Sequence, residues 1–380
     1  MKNGYKIWDS DTHIQPSIET VEPYYDPSLR KRLPELEQYK APGSPRNGPG
    51  RHTYTVGKVN YKRILGQAGP PEVPVVNAGK FQGTRLPTEG SADDAADLRI
   101  KDMNDEGVDV HTMVPGVPMG VSLLGEPELE MGLIRAFNRY ADDFCGQYPD
   151  RLKGLMVVSG NAVEESVLEI KKWGKSKWAV GAWPFPGIDR PLDHPDMEPI
   201  WQAMNEEGMA VVHHSLAWDP PYFPGYKDLW DNVFLGRGLS HPWGAMRAIG
   251  SFIGGGTMDR YENLRFAVLE SGCGWLPYMA RRYDDQKEYL GATAELKYKI
   301  SEYMTGGRFF ASIEMAEGED MIKMVMDFMG DDMLMYASDY PHPECMFPNS
   351  PDHALAWDTL GKERMQKMMW DNAVKLYGNP

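Results

Sequence analysis

The chain has 380 residues, of which 42% are hydrophobic and 25% charged, and its formal net charge is −15 at pH 7. This composition supports a sizeable core, and the length fits either two domains or one α/β barrel with insertions, which spans roughly 200 to 400 residues. The negative charge argues against nucleic acid and anionic membrane surfaces as partners, because both repel an acidic protein.

The sequence also bears on where the protein works. No run approaches the roughly 18 apolar residues needed to cross a bilayer, and the N-terminal residues lack an apolar segment of signal-peptide length. Cys145, Cys273 and Cys345 are widely separated and odd in number, which argues against a disulfide framework. We therefore expect a cytoplasmic protein in a reducing environment.

Eight short apolar segments are typical of β-strands. In chain order they cover residues 5–8, 108–114, 155–158, 178–183, 209–212, 265–269, 309–313 and 333–337. Helical periodicity or helix-start residues predict helices over residues 126–148, from residue 161, and over residues 196–207, 245–252, 278–289 and 360–377. This alternation of strands and helices indicates a parallel sheet built from βα units.

We favour closure of this sheet into a barrel over an open sheet. Residues that can bind a metal follow the first, fifth and eighth predicted strands, and only a closed barrel brings the first strand beside the eighth. The prediction is therefore an α/β fold, a distorted (β/α)8 TIM barrel that spans residues 1–380 as a single domain.

Two long segments interrupt the alternation. Residues 34–95 are rich in Pro and Gly, and we interpret them as an insertion arm with a small hairpin over residues 53–62. Residues 215–243 form a long aromatic loop after the fifth predicted strand and include Trp218 and Trp243. This loop is either a cover that lines the pocket of an apolar or aromatic substrate or a contact surface of an oligomer.

Four of the predicted strands end in residues that can bind a metal or move a proton. These residues are Asp11 and His13 after the first strand, His213 and His214 after the fifth, Glu270 after the sixth and Asp339 after the eighth. Asp11 and His13 lie two positions apart, so on an extended segment they point the same way. With His214 and Asp339 they would form a mixed nitrogen and oxygen site, suited to zinc or to manganese or iron(II). Protein ligands on one side leave a position open for water or substrate, as in catalytic metal sites.

These motifs resemble those of the amidohydrolase superfamily, in the branch that contains aminocarboxymuconate semialdehyde decarboxylase and the resorcylate and related aromatic acid decarboxylases. The matching segments are residues 9–13, 208–214, 258–264, 270–278 and 338–342. The resemblance implies a single distorted barrel, one divalent metal (zinc before manganese or iron) and a small aromatic or unsaturated acid as substrate. It also implies a homo-oligomer, either a dimer or a tetramer.

The resemblance also assigns roles to individual residues. By this resemblance, the metal ligands are Asp11, His13, His214 and Asp339. The chain departs from the family at the end of the sixth strand, where many relatives carry a histidine and this chain carries Glu270. A glutamate can act as general base, but it cannot donate a proton at neutral pH as an imidazolium does. We place Asp339, Glu270 and His241 in the catalytic set, although His241 could equally cap the following helix.

Three further side chains are candidates for the substrate pocket. His213 neighbours a predicted ligand but points the other way along its strand, which favours a packed core residue over a ligand. Glu314 could face the pocket or bond a neighbouring loop, and His342 could hydrogen-bond the site from three residues beyond Asp339.

Three functions fit this site. The resemblance favours non-oxidative decarboxylation, in which Asp339 delivers a proton to the ring carbon as CO₂ leaves. The alternative is a hydrolase in which metal-bound water attacks a C–C, amide or ester carbonyl, with Asp339 or Glu270 as base. The third is a barrel that binds a small molecule without turning it over.

Overall fold

The computed structural model describes residues 1–43, 49–54, 92–116, 126–186, 190–215, 233–342 and 345–380, with only the backbone at residues 233–237. The strands in these residues are β1 (Trp8–Ile14), β2 (Lys40–Pro42), β3 (His52–Tyr54), β4 (Val110–Pro115), β5 (Leu152–Ser159), β6 (Ala179–Phe185), β7 (Ala210–His214), β8 (Phe266–Leu269), β9 (Phe309–Ser312) and β10 (Leu334–Met335). Eight of them form one sheet in the order β1-β4-β5-β6-β7-β8-β9-β10, and each neighbouring pair is parallel. The short strands β2 and β3 pair antiparallel outside this sheet.

Helices alternate with the strands of the large sheet. They are α1 (Ile18–Val21), α2 (Pro27–Leu36), α3 (Ala96–Glu106), α4 (Pro127–Gly146), α5 (Val163–Trp173), α6 (Glu198–Glu207), α7 (Val233–Phe252), α8 (Thr257–Arg260), α9 (Leu276–Leu290), α10 (Ile300–Thr305), α11 (Gly318–Met329), α12 (Ser350–Leu355), α13 (Gly361–Gln366) and α14 (Asn372–Tyr377). Gly208 ends α6 in the left-handed conformation, with φ of 70°. A glycine adopts this conformation without a steric penalty, so the chain can leave α6 and enter β7 two residues later.

Backbone hydrogen bonds close the sheet between its first and last strands. Ser10 N donates to Tyr336 O at 3.0 Å, Asp339 N donates to Asp11 O at 3.1 Å, and His13 N donates to Tyr340 O at 2.6 Å. We call this junction, residues 10–13 against residues 336–340, the seam. The closed ring of parallel strands confirms the predicted (β/α)8 barrel.

The core divides at the barrel wall, as the alternation of side chains along a strand requires. The barrel interior is filled by Trp8, Leu155, Val157, Trp183, Val212, Leu269, Phe310 and Met335. Val211 belongs instead to the larger cluster between the sheet and the surrounding helices. Tyr377 of α14 stacks on Trp8, with ring centroids 5.8 Å apart, so the last helix packs against the interior cluster. Val211 and Val212, which are neighbours in β7, therefore face opposite sides of the barrel wall.

All eight predicted strands are present, but the first is displaced: β1 begins at Trp8, the last residue of the segment predicted at 5–8, and extends to Ile14. Asp11 and His13 therefore lie within β1 rather than after it, and His213 and His214 likewise lie within β7. Some helix bounds also differ from prediction. The helix expected over residues 245–252 is the longer α7, and the helix expected over residues 360–377 is divided by a π-helical stretch at Lys367–Asp371. Most of the predicted arm at residues 34–95 lies outside the described residues. Of the predicted 53–62 hairpin only Thr53 and Tyr54 are described, and they pair with residues 40–41.

A search of the described helices for a membrane span gave none, since each is too short or too polar to cross a bilayer.

Candidate metal centre

A β-bulge in β1 turns Asp11 and His13 toward the barrel interior. Asp9 pairs with His111 and Thr12 pairs with Met113, so β1 carries one extra residue at this point. Such a bulge reverses which alternate residues face inward. Trp8 faces the interior before the bulge, and Asp11 and His13 contact the interior residue His214 after it. Both side chains are buried.

His214 lies on the interior face of β7, in phase with Val212. Its Nε2 is 3.5 Å from Asp11 Oδ1, and its ring meets that of His13 edge to face at 4.9 Å. The ring of Trp183 lies 4.9 Å away and supports His214 from β6. An imidazole from the middle of the chain thus joins the two ligand candidates of β1.

His213 faces the other side of the barrel wall. It lines a cavity of about 210 Å³ together with Arg247, Ser251 and Tyr283. The structure therefore does not bring His213 to the cluster around His214, because successive residues of a strand point to opposite faces. Burial and the neighbouring groups His214, Arg247 and His241 lower the pKa of His213 to about 3.

Glu270 and Asp339 follow β8 and the last barrel strand in the left-handed conformation, with φ of 48° and 61°. For residues other than glycine this conformation costs roughly 1–2 kcal/mol, and such strain concentrates at functional sites. Backbone hydrogen bonds oppose the cost: Glu270 N donates to Ser312 Oγ at 3.0 Å, and Asp339 N donates to Asp11 O. The two carboxylates consequently lie beside the histidines of β1 and β7.

Asp339 meets two imidazoles. Its Oδ1 is 2.8 Å from His13 Nε2 and 2.8 Å from His342 Nδ1. The rings of His13 and His342 stack with centroids 3.9 Å apart. Two sets of three residues, Asp11 with His13 and His214, and His13 with Asp339 and His342, each offer ligand atoms that lie within 4.8 Å of one another. The four predicted ligands therefore share one buried cluster, and His342 extends it.

The cluster fits a divalent cation. Asp11 Oδ1 is buried and accepts no hydrogen bond from the described residues, although His214 Nε2 is 3.5 Å away. Burial alone lowers the pKa of His214, but Asp11 and Glu270 outweigh it and raise that pKa to about 10. Without a metal the site thus balances its carboxylates with a proton, and a divalent cation would replace that proton. Two imidazole nitrogens with carboxylate oxygens suit zinc, manganese or iron(II).

Glu270 lies between two histidines. Its Oε2 is 3.0 Å from His214 Nε2, and its Oε1 is 3.6 Å from His241 Nδ1. Burial raises the pKa of Glu270, but the two histidines outweigh it and hold that pKa well below its usual range. Glu270 is therefore a carboxylate here, which suits a hydrogen-bond acceptor.

Of the remaining predicted residues, Glu314 lies beside the cluster, and Trp243 is half exposed. Glu314 lines a small cavity of about 50 Å³ with Asp11 and Asp339. Burial and the carboxylates of Glu270, Asp339 and Asp11 raise the pKa of Glu314 well above its usual range. Trp243 is 50% exposed, and Trp218 lies outside the described residues.

Sequence reasoning missed two features of the site, one at the seam and one that also involves the end of β8. Asp9 Oδ1 accepts hydrogen bonds from Ser338 N at 3.1 Å and from Asp11 N at 3.4 Å, so one buried carboxylate joins both sides. Its place in the Asp-Ser-Asp-Thr-His motif was the available signal. The second feature is the pair of left-handed residues, Glu270 and Asp339, for which the sequence offers no signal.

Comparison with known proteins places the chain in a family. A family model described as amidohydrolase matches residues 60–379. The 2-amino-3-carboxymuconate-6-semialdehyde decarboxylase of Dictyostelium discoideum is 23% identical over 254 residues, which cover 65% of this chain and 67% of that protein.

Two solved structures share the fold. An amidohydrolase from Mycobacterium avium subsp. paratuberculosis K-10 is 18% identical with a TM-score of 0.76, over 99% of this chain and 100% of that one. A 5-carboxyvanillate decarboxylase from Novosphingobium aromaticivorans, in complex with manganese and 4-hydroxy-3-methoxy-5-nitrobenzoic acid, is 22% identical with a TM-score of 0.69, over 99% of this chain and 97% of that one. The family model spans residues 60–379, which include seven of the eight barrel strands together with His214 and Asp339, and on that ground the chain belongs to the amidohydrolase family.

Proposed function

We propose that this protein is a metal-dependent decarboxylase of a small aromatic or unsaturated carboxylic acid. The observation that carries the proposal is the buried convergence of Asp11, His13, His214 and Asp339 at one place in the barrel. The similarity to a decarboxylase of an unsaturated amino acid derivative supports the choice of reaction.

The metal would be held by Asp11, His13, His214 and Asp339, and we propose zinc. The manganese in the carboxyvanillate decarboxylase makes manganese the first alternative. When bound, the cation supplies a Lewis acid that polarises substrate oxygens. An anionic substrate needs that positive charge, because Asp11, Glu270 and Asp339 would otherwise repel it.

Asp339 is the proposed proton donor to the carbon that loses CO₂. His342 Nδ1 lies 2.8 Å and 3.0 Å from the two carboxylate oxygens of Asp339. The side chain of His342 is 29% exposed, so it can take a proton from solvent and return it to Asp339. Protonation of the carbon and restoration of the acid would then use the same pair of residues.

Glu270 and His241 would orient the substrate end of the site. Glu270 bonds His214 and fixes its ring, while His241 approaches the other oxygen of Glu270. We propose that Glu314, which lines the cavity beside Asp11 and Asp339, contacts the substrate. The predicted loop over residues 215–243 is helical from residue 233, so Trp243 lies in α7 and not in a loop. Trp218 and Trp243 stay proposed parts of a cover over the pocket.

The test is a product assay on metal-reconstituted protein. Apo protein is loaded with zinc, manganese or iron(II) and incubated with hydroxybenzoates, keto-dienoic acids and amides in H₂¹⁸O. We expect CO₂ release, one deuterium on the product carbon when the reaction is run in D₂O, and no ¹⁸O in the organic product of the reaction in H₂¹⁸O. Asp339→Asn protein is the control, and CO₂ release that does not depend on Asp339 or on the metal would contradict the proposal.

Hydrolysis is the second candidate, and the position of Glu270 beside the proposed ligand His214 supports it. A base beside the metal site can activate water for attack on a carbonyl. Incorporation of ¹⁸O without CO₂ release in the same assay would establish this alternative. A protein that retains no stoichiometric divalent ion at neutral pH would instead be a binding barrel.

Three broader proposals accompany this function. The three cysteines are buried and form no disulfide with one another, which supports a reducing compartment, and we propose the cytoplasm. We propose that residues 1–380 form one domain with an arm at residues 34–95. We also propose a homo-oligomer, a dimer or tetramer, which light scattering of the purified protein tests directly.

A further inference from the structure

Helix α3 carries charged side chains on its buried face. Arg99, Asp102 and Glu106 are spaced by three and four residues, which places them on one side of the helix, and all three are almost completely buried. Charged residues are rarely buried in full unless specific partners compensate them. The charge of Arg99 is compensated by Asp93, whose Oδ1 lies 3.4 Å from Arg99 Nη1. Other partners of Arg99 and Asp102 lie on the two sides of the seam.

Arg99 holds β1 at the residue that carries a metal-site imidazole. Its Nη1 donates to His13 O at 2.9 Å, and its Nη2 donates to Thr12 Oγ1 at 2.8 Å. Its Nε donates to His111 Nδ1 at 3.3 Å, and burial together with Arg99 and Arg151 lowers the pKa of His111, which keeps that ring a neutral acceptor. The planar guanidinium satisfies all these acceptors at once, which a lysine ammonium cannot do.

The same helix holds the other side of the seam. The guanidinium of Arg99 lies over the ring of Tyr340 at 5.2 Å, and Asp102 Oδ2 accepts from Tyr340 OH at 2.7 Å. Tyr340 directly follows Asp339, the carboxylate of the metal site. Glu106 Oε1 accepts from Ser350 N at 3.2 Å, further along the same segment.

We call the contacts of Arg99 and Asp102 with β1 and Tyr340 the clamp. These contacts affect the spacing of the metal ligands because the seam is irregular. Here Thr12 and Tyr340 form an isolated bridge, and β10 ends at Met335, before Asp339. Asp11 and His13 lie on one side of this junction and Asp339 on the other. Small shifts of either side would change the distance between His13 Nε2 and Asp339 Oδ1, which is 2.8 Å.

We infer that Arg99 is a positioning residue for the metal centre, which sets the spacing of the ligands across the seam through His13 and Tyr340. Arg99 does not touch the metal ligands' side-chain donor atoms; it acts through the backbone of β1 and through the ring of Tyr340. The inference rests on the proposed metal site and adds a determinant of its affinity.

The test compares Arg99→Lys with a matched arginine elsewhere in the full-length protein. Arg151 donates to Asp109 O at 2.7 Å and to Val108 O at 2.8 Å, at the opposite, N-terminal end of the barrel strands. Zinc affinity is measured by competition with a chelator, and cobalt absorption reports the ligand geometry of the loaded site. We expect Arg99→Lys to bind zinc about 10–100-fold more weakly with an altered cobalt spectrum, and Arg151→Lys to match the wild type.

Tyr340→Phe provides a second, milder variant that keeps the aromatic core and removes only the bond to Asp102. We expect a smaller loss of zinc affinity than for Arg99→Lys. If Arg99→Lys fails to fold, Thr12→Val decides the question by the same two measurements, because it removes the hydroxyl that accepts from Arg99 Nη2 at 2.8 Å. Equal zinc affinity and equal cobalt spectra for Arg99→Lys, Tyr340→Phe and Arg151→Lys would overturn the inference. A wild type that binds zinc but releases no CO₂ contradicts only the proposed reaction, whereas a wild type that binds no metal contradicts both.

Discussion

The metal-site residues are held in two different ways on opposite sides of the barrel. His214 ends a regular strand, whose pairing with β8 runs without interruption from Val211 to His214. Asp11, His13 and Asp339 lie at the seam, where a bulge, a left-handed residue and a few backbone bonds replace a regular ladder. On the regular side the strand ladder fixes the backbone of the ligand, and Trp183 and Glu270 contact its ring. At the seam the backbone itself depends on side chains such as Asp9 and Arg99. We therefore expect substitutions on the two sides to change metal binding, activity and stability in different ways.

The largest expected effect is on the regular side. His214→Ala should abolish stoichiometric metal binding and activity while the fold persists, because β7 keeps its backbone pairing. His213→Ala is the matched control on the opposite face of the same strand. It should retain the metal and cost about 1–3 kcal/mol in the free energy of unfolding. Metal analysis and urea denaturation of both variants would expose the opposite pattern, which would show that the ligand was wrongly assigned.

At the seam, Asp339→Asn should lower kcat about 10²–10⁴-fold, because an amide cannot transfer the proton. Asparagine tolerates the left-handed conformation that Asp339 adopts, so the melting temperature of the metal-free protein should change little. Asp339→Val should in addition cost roughly 1–2 kcal/mol in stability, since a branched side chain resists φ of 61°. Equal stability of Asp339→Asn and Asp339→Val would show that the left-handed backbone conformation at residue 339 carries no strain.

Removal of the metal should loosen the two sides unequally. Chelation withdraws the ligand-linked stabilisation, which is about 4 kcal/mol when free metal exceeds its Kd a thousandfold. We expect hydrogen exchange to accelerate at the seam amides of Ser10, His13 and Asp339 more than at Val211 N, which pairs with Arg265 O in the regular ladder. A uniform acceleration would mean that the seam is as firmly held as the ladder.

The smallest expected effect is a pH dependence of stability. Burial raises the pKa of Glu106, behind the seam, and of Glu130, behind β5, to about 7 in each case. The unfolded chain loses these protons near the ordinary value of 4.5, so their contribution is complete below that pH and is lost as pH rises through about 7. For Glu106→Gln and Glu130→Gln, we compare the free energy of unfolding with that of the wild type at each pH. The difference should shift in favour of the variant between pH 5 and pH 8, by at most about 3 kcal/mol.

Denaturation at the two pH values tests both variants, and their comparison sharpens the contrast between the regions. If the seam admits water more readily than the regular side, the gain for Glu106→Gln will be smaller than the gain for Glu130→Gln. The same relative stability at pH 5 and pH 8 would show that neither glutamate holds its proton in the folded state.

Much of the fold could be predicted from local patterns. Apolar segments of strand length alternating with helical periodicity predict all eight barrel strands, because both features depend on neighbours within a few residues. Alternation along β7 separated His213 from His214 for the same reason. The longer α7 was not predicted, since its first half has little helical periodicity in the sequence and includes Pro242 within the helix.

What the sequence determined by itself was the set of strands, the chemistry of their final residues and the side of β7 on which each histidine lies. Only the tertiary structure decided the bulge in β1, the left-handed carboxylates, the approach of His241 to Glu270 and the clamp of Arg99 across the seam. The reason is physical: side-chain alternation is a property of neighbouring residues, whereas Ser10 and Tyr336 become neighbours only when 326 positions of chain close into a ring.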